Sequence, residues 1–389
     1  VKEHAPVDLP ALGDMHRIVV VRLKALGDIV LSLPIVYALR ERYPGAEIRY
    51  LCRRRYAEAL AGDTGLDGII ELPESTFGQL ALVYRMRRRR MDLVIDLLSS
   101  PRSAMLTWLI APRVGIGMDV GRHNWCYRYV LPRVMTRDGV RVKRYTLDAN
   151  REIVRMLKID RPDDSGGVRG AADAPRFPRP APASWREGLA IGFPAAERER
   201  EWARRFVDGL AADRFALVGL VPAATYRAKS WPIGHFIELA RILTQEMQLV
   251  PIVLWGPGEM TYADTIVADV PGAIKAPEMG IARLGALIAE MRLLVTLDSG
   301  PKHIAVLQGV PTVTLFGPTD PRVWDPVNER HRVVYHDMDC APCRDRDCRS
   351  NRCLSEITPR EVAHVVADLL SGMDGGNGES ERRRSRDRQ

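Results

Sequence analysis

The sequence predicts an α/β protein made of two Rossmann-like, doubly wound parallel-sheet domains, and three observations carry that prediction. Apolar, β-branched runs of the kind buried on both faces of a parallel sheet alternate with helix-length segments along the whole chain. A Pro- and Gly-rich stretch near the middle interrupts the alternation once. The length of 389 residues exceeds what one core comfortably serves and suits two domains of roughly 150–200 residues each. With 46% hydrophobic and 27% charged residues the composition is that of a folded globular chain, which excludes a disordered one.

After an N-terminal extension, 1–16, the first strand is "RIVVVRL" (17–23). It is followed by a Gly-containing turn and a helix over "KALGDIVLSLPIVYALRERYP", which Pro44 ends. Strands are predicted at "EIRYL" (47–51), "GIIEL" (68–72), "DLVIDLL" (92–98) and "RVGIG" (113–117), with helices around 55–61 and 77–90. Such βαβ units cross over right-handedly and build a parallel sheet, so 17–160 reads as one domain. The linker is 161–184, whose prolines and glycines sustain neither helix nor central strand. A second domain, 185–371, resumes with strands "LAIGF" (189–193), "FALVGLVP" (215–222), "LVPIVLW" (249–255) and "AIKA", and helices near 195–211, after Trp231–Pro232, at 259–269 and at 281–291. Its final helix runs from Pro359 to Ser371 with Thr358 as N-cap. The tail, 372–389, rich in Gly, Glu and Arg, is predicted to be disordered.

The longest early apolar stretch, 29–39, is far short of the roughly 20 residues that cross a bilayer, and 1–16 has no signal-peptide core, so a cytoplasmic location is expected. Net charge is +8, concentrated in "RMRRRR" (85–90) and "ERRRSRDRQ" (381–389). These runs are either solvated surface or contacts for anionic partners. Nucleic acid is not expected, because aromatics are only 6% of residues and are not interleaved with the arginines.

In open parallel sheets ligands bind at the carboxyl ends of strands. Four polar segments stand there: Asp28 in "LKALGDIV", "PAATYRAKSWP" (222–232), "WGPGE" (255–259) and "DSGPKH" (298–303). Asp28 is either a carboxylate base or a helix N-cap. Thr225, Arg227 and Lys229 suit a phosphate at a helix N-terminus, or form a surface loop. In "DSGPKH", Gly300 allows close backbone approach and Pro301 fixes the first helical turn, so the amides of 299–303, with Lys302 and His303, form a concavity suited to a diphosphate.

The set "RLKALGDIVLSLPIVYALRERYP", "TYRAKSWP", "WGPGE" and "DSGPKHIAVLQGVPTVTLFGPTDP", in this order over roughly 17–370, resembles the lipopolysaccharide heptosyltransferases, glycosyltransferase family 9. The resemblance implies a GT-B fold, the two sheet domains facing a cleft, and an inverting glycosyltransferase that moves heptose from an ADP-heptose donor to the lipopolysaccharide inner core. A transferase for another nucleotide sugar, or an epimerase of the same fold, is the alternative. Asp28 matches the family's catalytic base, and Lys229 and Thr225 its phosphate contacts. Glu259 matches a residue that holds ribose or sugar hydroxyls, and Asp298, Ser299, Gly300 and His303 match the donor pocket. No cofactor is implied for catalysis. The partners implied are an ADP-sugar, a lipid-linked saccharide acceptor and peripheral contact with the anionic inner face of the inner membrane. The chain departs from the pattern at Pro222–Ala223 and at Ser299 and Lys302, where members often carry Thr and Met or Leu. Lys302 either reads a different donor or faces water.

Cys340, Cys343, Cys348 and Cys353 have a spacing that can supply four thiolates to a structural zinc, or remain free thiols or a labile disulfide. Cys52 and Cys126 read as ordinary buried residues. "DMD" (337–339) lies too near the end of the second domain to be a metal-binding DxD motif, and "GIGMDVG" lacks the glycine spacing of a dinucleotide fingerprint.

Overall fold

The computed structural model describes residues 7–132, 136–137, 140–141, 144–159, 191–210, 216–343 and 345–386, with side chains except at 136–141 and beyond Met373. The chain divides into two compact units, Val1–Glu199 and Arg200–Gln389.

The first unit carries β1 (Arg17–Val21), α1 (Leu26–Val30), α2 (Leu33–Arg42), β2 (Glu47–Arg53), α3 (Arg54–Ala57), β3 (Gly68–Leu72), α4 (Thr76–Arg88), β4 (Leu93–Asp96), α5 (Pro101–Ile110), β5 (Val114–Met118), β6 (Tyr129–Leu131), the short pair β7 (Thr136–Arg137) and β8 (Val140–Arg141), and α6 (Thr146–Met156). Its six-stranded sheet has the order β3-β2-β1-β4-β5-β6 and every pair is parallel. The expected first helix is two helices. Pro34 stands in the first turn of α2, where its missing N–H costs nothing, whereas a continuous helix would need that N–H. Further elements of this unit escape the sequence pattern: α5, β6, the pair β7 and β8, and α6. A reciprocal capping box between Ser100 and Ser103 starts α5.

The expected strand at 189–193 is not one over its described residues, Ile191–Phe193. The chain there lies against the first unit's Gly62, where an added Cβ would stand 2.9 Å from the Pro194 carbonyl. The predicted linker falls outside the described residues, and the division into units comes later, inside α7 (Glu197–Asp208).

The second unit continues with β9 (Leu217–Val221), α8 (Ile233–Gln245), β10 (Val250–Val253), α9 (Met260–Asp269), β11 (Ile274–Lys275), α10 (Ile281–Ile288), β12 (Leu293–Leu297), α11 (Gly300–Gln308), β13 (Thr312–Phe316), α12 (Pro321–Trp324), β14 (His331–Tyr335), α13 (Arg352–Ser355) and α14 (Pro359–Arg386). The sheet order β11-β10-β9-β12-β13-β14 repeats the first unit's topology, again all parallel. Its core joins Val218 and Leu220 of β9 to Phe236 and Leu239 of α8, Val295 of β12 and Val366 of α14. Gly219 in β9 is required there, because a Cβ would run into the side chains of Met291 and Leu294. Thr358 caps α14 as expected: the Glu361 N–H donates to its Oγ1 at 3.2 Å. The helix runs on to Arg386, past its expected end at Ser371. Gly372, Gly375, Gly376 and Gly378 each weaken a helix by about 1 kcal/mol, but no proline stops it.

Among the described residues no helix is long and apolar enough to cross a membrane.

Candidate active site

In each sheet the strand order reverses beside the first strand, at β1/β4 and at β9/β12, so the loops after those strands sit where an open parallel sheet binds ligands.

In the first unit that place holds Asp28. It is the third residue of α1, and the N-cap position belongs to Ala25, which adopts φ +65° and offers no side-chain cap. Asp28 is therefore not the cap that one reading of the sequence allowed. Its carboxylate instead meets Arg22 Nη2 at 2.5 Å, both side chains being mostly buried. Arg22, which follows β1, also donates through Nη1 to the Leu97 carbonyl beyond β4 at 2.5 Å, so the pair is tied to both strand ends. The Arg22 Nε–H is buried with no hydrogen-bond partner among the described residues, an unmet donor beside the carboxylate.

In the second unit, Asp298 at the end of β12 organises the site. Its Oδ2 accepts from Lys229 Nζ at 2.5 Å and from Thr319 Oγ1 at 2.8 Å, and Lys229 Nζ also reaches the Asp298 carbonyl at 3.3 Å. Lys229 ends a short 3-10 turn, Arg227–Lys229, that follows β9, and its ammonium lies 5.4 Å from the Tyr226 ring centroid. Thr319 comes from the loop after β13. Three strand-end loops thus converge on one carboxylate.

Behind it stands Lys302, the third residue of α11, whose side chain is 0% exposed. Its ammonium lies 3.5 Å from Asp298 Oδ1 and 3.8 Å from Asp325 Oδ2, donates to the Trp324 carbonyl, and sits 4.8 Å from the Phe316 ring centroid. Neither expected role of Lys302 is realised: it faces neither a donor nor water. The face of α11 that carries it packs inward, so it braces Asp298 from within. Burial alone would raise the Asp298 carboxyl, but Lys302 and then Lys229 hold it well below the usual carboxylate range. Burial pushes the Lys302 ammonium down from its ordinary value, against the pull of Asp298 and Asp325, and pushes the Asp325 carboxyl up against Lys302. His303 is held well below its ordinary value by burial and by the Lys302 charge, so it is neutral, and its Nδ1 has no partner among the described residues.

Ser299 is the N-cap of α11, yet its side chain accepts from none of the helix amides and its Oγ lies 3.4 Å from Thr296 Oγ1. The amides that open α11, from Gly300 on, therefore keep their positive end beside Lys229. Thr225 is exposed in the bend before the Lys229 turn. Glu259 sits at the end of β10's loop as N-cap of α9, where its Oε2 accepts the Gly256 N–H at 2.8 Å and closes the "GPGE" turn.

Arg22, Thr319 and Asp325 were not singled out in the sequence. The first two follow β1 and β13 directly, so the strand-end rule reaches them; the burial of Asp325 leaves no such mark.

The four late cysteines line one cavity of about 130 Å³ with Ala228, Pro318 and Met338. Among the described residues no group of three or more His, Cys, Asp or Glu side chains is arranged to hold a metal ion. The structural zinc that the spacing could supply is not shown, and all six cysteines are free thiols, Cys340 exposed and Cys353 buried.

The family model described as glycosyltransferase family 9 (heptosyltransferase) matches residues 188–354. Lipopolysaccharide heptosyltransferase 1 of Pseudomonas aeruginosa is 23% identical over 384 residues, 91% of this chain and 98% of that protein. Lipopolysaccharide heptosyltransferase 2 of Salmonella typhimurium is 27% identical over 387 residues, 91% of this chain and 99% of that protein. The structure of E. coli heptosyltransferase WaaC with ADP superposes with a TM-score of 0.65 at 19% identity, covering 91% of this chain and 99% of the other, and shares the fold. With this topology, these strand-end residues and relatives matched over nearly their whole length, the chain is similar to the heptosyltransferases of glycosyltransferase family 9 and is a glycosyltransferase of the GT-B fold.

Proposed function

We propose that this enzyme transfers heptose, with inversion, from ADP-heptose to the inner core of lipopolysaccharide. The observation that carries the reading is the convergence of Lys229, Asp298 and the open amide end of α11 at one strand-end, a place built for a diphosphate. The names of the relatives and the ADP held by the E. coli structure support a heptose and an adenosine diphosphate leaving group.

In the reaction the acceptor hydroxyl oxygen forms a bond to the anomeric carbon of the donor sugar as the bond from that carbon to the β-phosphate oxygen breaks. Asp28 takes the hydroxyl proton, with Arg22 fixing the carboxylate's orientation; general-base help of this kind contributes about 10²–10⁴ in rate. ADP leaves with the electron pair. Lys229, held in place by Asp298, and the α11 amides stabilise the charge growing on the leaving diphosphate. Glu259 and Thr225 lie at neighbouring strand ends and serve the ribose or sugar hydroxyls and the phosphates. Direct displacement needs neither a covalent carboxylate nucleophile nor a cofactor.

The test is transfer of labelled heptose from ADP-heptose to heptose-deficient lipopolysaccharide by wild type, Asp28→Ala and Lys229→Ala. Both variants should lose at least about 100-fold in kcat. Full turnover by both would overturn the site. A thermal-shift screen in which UDP- or GDP-sugars stabilise the protein more than ADP-heptose would overturn the donor.

A further inference from the structure

The outer faces of α4 and α5 are out of keeping with the rest of the molecule. On α4, Phe77 is 87% exposed, Leu80 53% and Tyr84 62%, three and four residues apart and so on one stripe. On α5 and the turn after β5, Met105, Trp108 and Trp125 are exposed as well, and the two indoles pack edge to face with centroids 5.7 Å apart. Among the described residues, six of the nine exposed large hydrophobic side chains belong to this one region. Both helices turn their other sides to the same core cluster, Leu82, Val83 and Met86 beside Leu106 and Ile110, so they lie on one face of the sheet and their stripes look away from it.

The charge on these helices is one-sided. Neither α4 nor α5 contains an acidic residue. The end of α4 carries Arg85, Arg87 and Arg88, with Arg89 and Arg90 following, and Arg88 lies 5.7 Å from the Tyr84 ring centroid. A groove of about 640 Å³ opens at this end of the helix, where Arg17, Arg49, Arg85, Arg88 and Arg89 outnumber Glu47 and Glu71. Aromatic and aliphatic side chains standing free beside arginines, on helices without carboxylates, match the interface of an anionic bilayer. There indole and phenol rings lie at headgroup level and arginines meet lipid phosphates.

We infer that the outer face of α4 and α5 docks the protein on the surface of an anionic phospholipid membrane. Phe77, Leu80, Trp108 and Trp125 enter the headgroup boundary, and the arginines ending α4 meet the lipid phosphates. This names the surface for a lipid-linked acceptor in the reading above, but its test does not depend on catalysis.

The experiment is co-sedimentation of the full chain with vesicles of phosphatidylcholine alone, with vesicles half phosphatidylglycerol, and with phosphatidylcholine vesicles carrying truncated lipopolysaccharide. Wild type should bind the phosphatidylglycerol vesicles and lose most of that binding in high salt. Arg85→Gln/Arg87→Gln/Arg88→Gln should weaken partitioning about 100-fold, at about fivefold per arginine. Phe77→Ser/Leu80→Ser should weaken it at least about tenfold. Trp108→Ser/Trp125→Ser should remove the blue shift of tryptophan emission on vesicles, while Met260→Ser, exposed on the second unit, changes nothing. All these side chains are exposed, and unchanged melting curves verify the fold. Three results would each overturn the proposal: no binding to phosphatidylglycerol vesicles, binding only when lipopolysaccharide is present, or sedimentation velocity showing that the stripe joins two copies of the chain that vesicles do not separate.

Discussion

Replacing Lys302 with methionine removes the one cation that stands between two buried carboxylates, and the cost follows from the geometry. At 3.5 Å from Asp298 and 3.8 Å from Asp325, the ammonium attracts each by about 4–5 kcal/mol at an effective dielectric constant near 20. Desolvation of Lys302 itself offsets several kcal/mol of this, so the net loss on breaking the group is about 3–5 kcal/mol. Methionine fills the volume beside Phe316 and Trp324, which keeps a cavity from adding to the loss. Asp298 retains Lys229 and Thr319, whereas Asp325, already raised by burial, loses its cation and titrates higher still. A carboxyl raised in the folded state binds its proton more tightly there than in the unfolded chain. Its stabilisation is full below the unfolded value, near 4, and is lost as pH rises through the folded one. Urea unfolding should therefore show Lys302→Met destabilised by about 3 kcal/mol or more at pH 8, and by about 1–2 kcal/mol less at pH 5. Adding Asp325→Asn should recover much of the loss at pH 8 and little at pH 5. An equal loss at both pH values, or a loss below about 0.5 kcal/mol, would refute the buried ion cluster.

Asp298 has the opposite sign. Burial opposes its ionisation but Lys302 and Lys229 depress it below the usual range, so its contribution is present above about pH 4 and lost as pH falls further. Asp298→Asn should lack the steepest part of the wild type's acid unfolding, read by circular dichroism from about pH 4 to pH 2. The Cys348 thiol is lowered by the Ser350 hydroxyl, 3.4 Å away, and by the Asn351 backbone, so it should alkylate fastest of the six cysteines near pH 7. Ser350→Ala should slow it several-fold, as mass spectrometry of the labelled peptides would report. Gly219→Ala forces a Cβ into Met291 and Leu294 and should cost about 1–3 kcal/mol in urea unfolding, with Gly209→Ala, whose Cβ has more room, as the mild control.

The sheets were legible because both faces of each central strand are covered, which writes a nearly continuous apolar run such as "RIVVV" or "LLVTL" into the chain. Helix α5 was not, for a physical reason. Its solvent face carries Met105 and Trp108, so the apolar and polar alternation that marks an amphipathic helix is blurred. What remained was the serine pair before Pro101, a start signal without a periodic body. The property that hides the helix in the sequence is the one that makes its outer face unusual in the structure. The run at 189–193 misled in the other direction: "LAIGF" has the composition of a buried strand, and Ile191 and Phe193 are buried, but outside any ladder. Burial and strand pairing write the same residues.

The site was legible to the extent that strand ends are, and Lys302 marks where that stops. Asp298 follows β12 and Lys302, four residues on, stands on the first-turn face of α11, and this much is written in the chain. Which way that face turns is not. It is decided by Phe316 of β13 and Trp324 of α12, which take the lysine stem inward, and by Asp325, which supplies the second negative charge there. An exposed pair of this kind would contribute a few tenths of a kcal/mol and leave Asp298 free to turn. Buried, the same pair fixes the carboxylate from behind, so that its outer oxygen can hold Lys229 at the mouth of the strand-end. In the proposed reaction the lysine that departs from the resembled family's pattern acts on the donor site only through Asp298. Lys302→Met should alter stability and the pH dependence of donor binding more than the choice among nucleotide sugars, a split that titration calorimetry with ADP, UDP and GDP would resolve. A changed order among the three nucleotides in the variant would return Lys302 to the ligand.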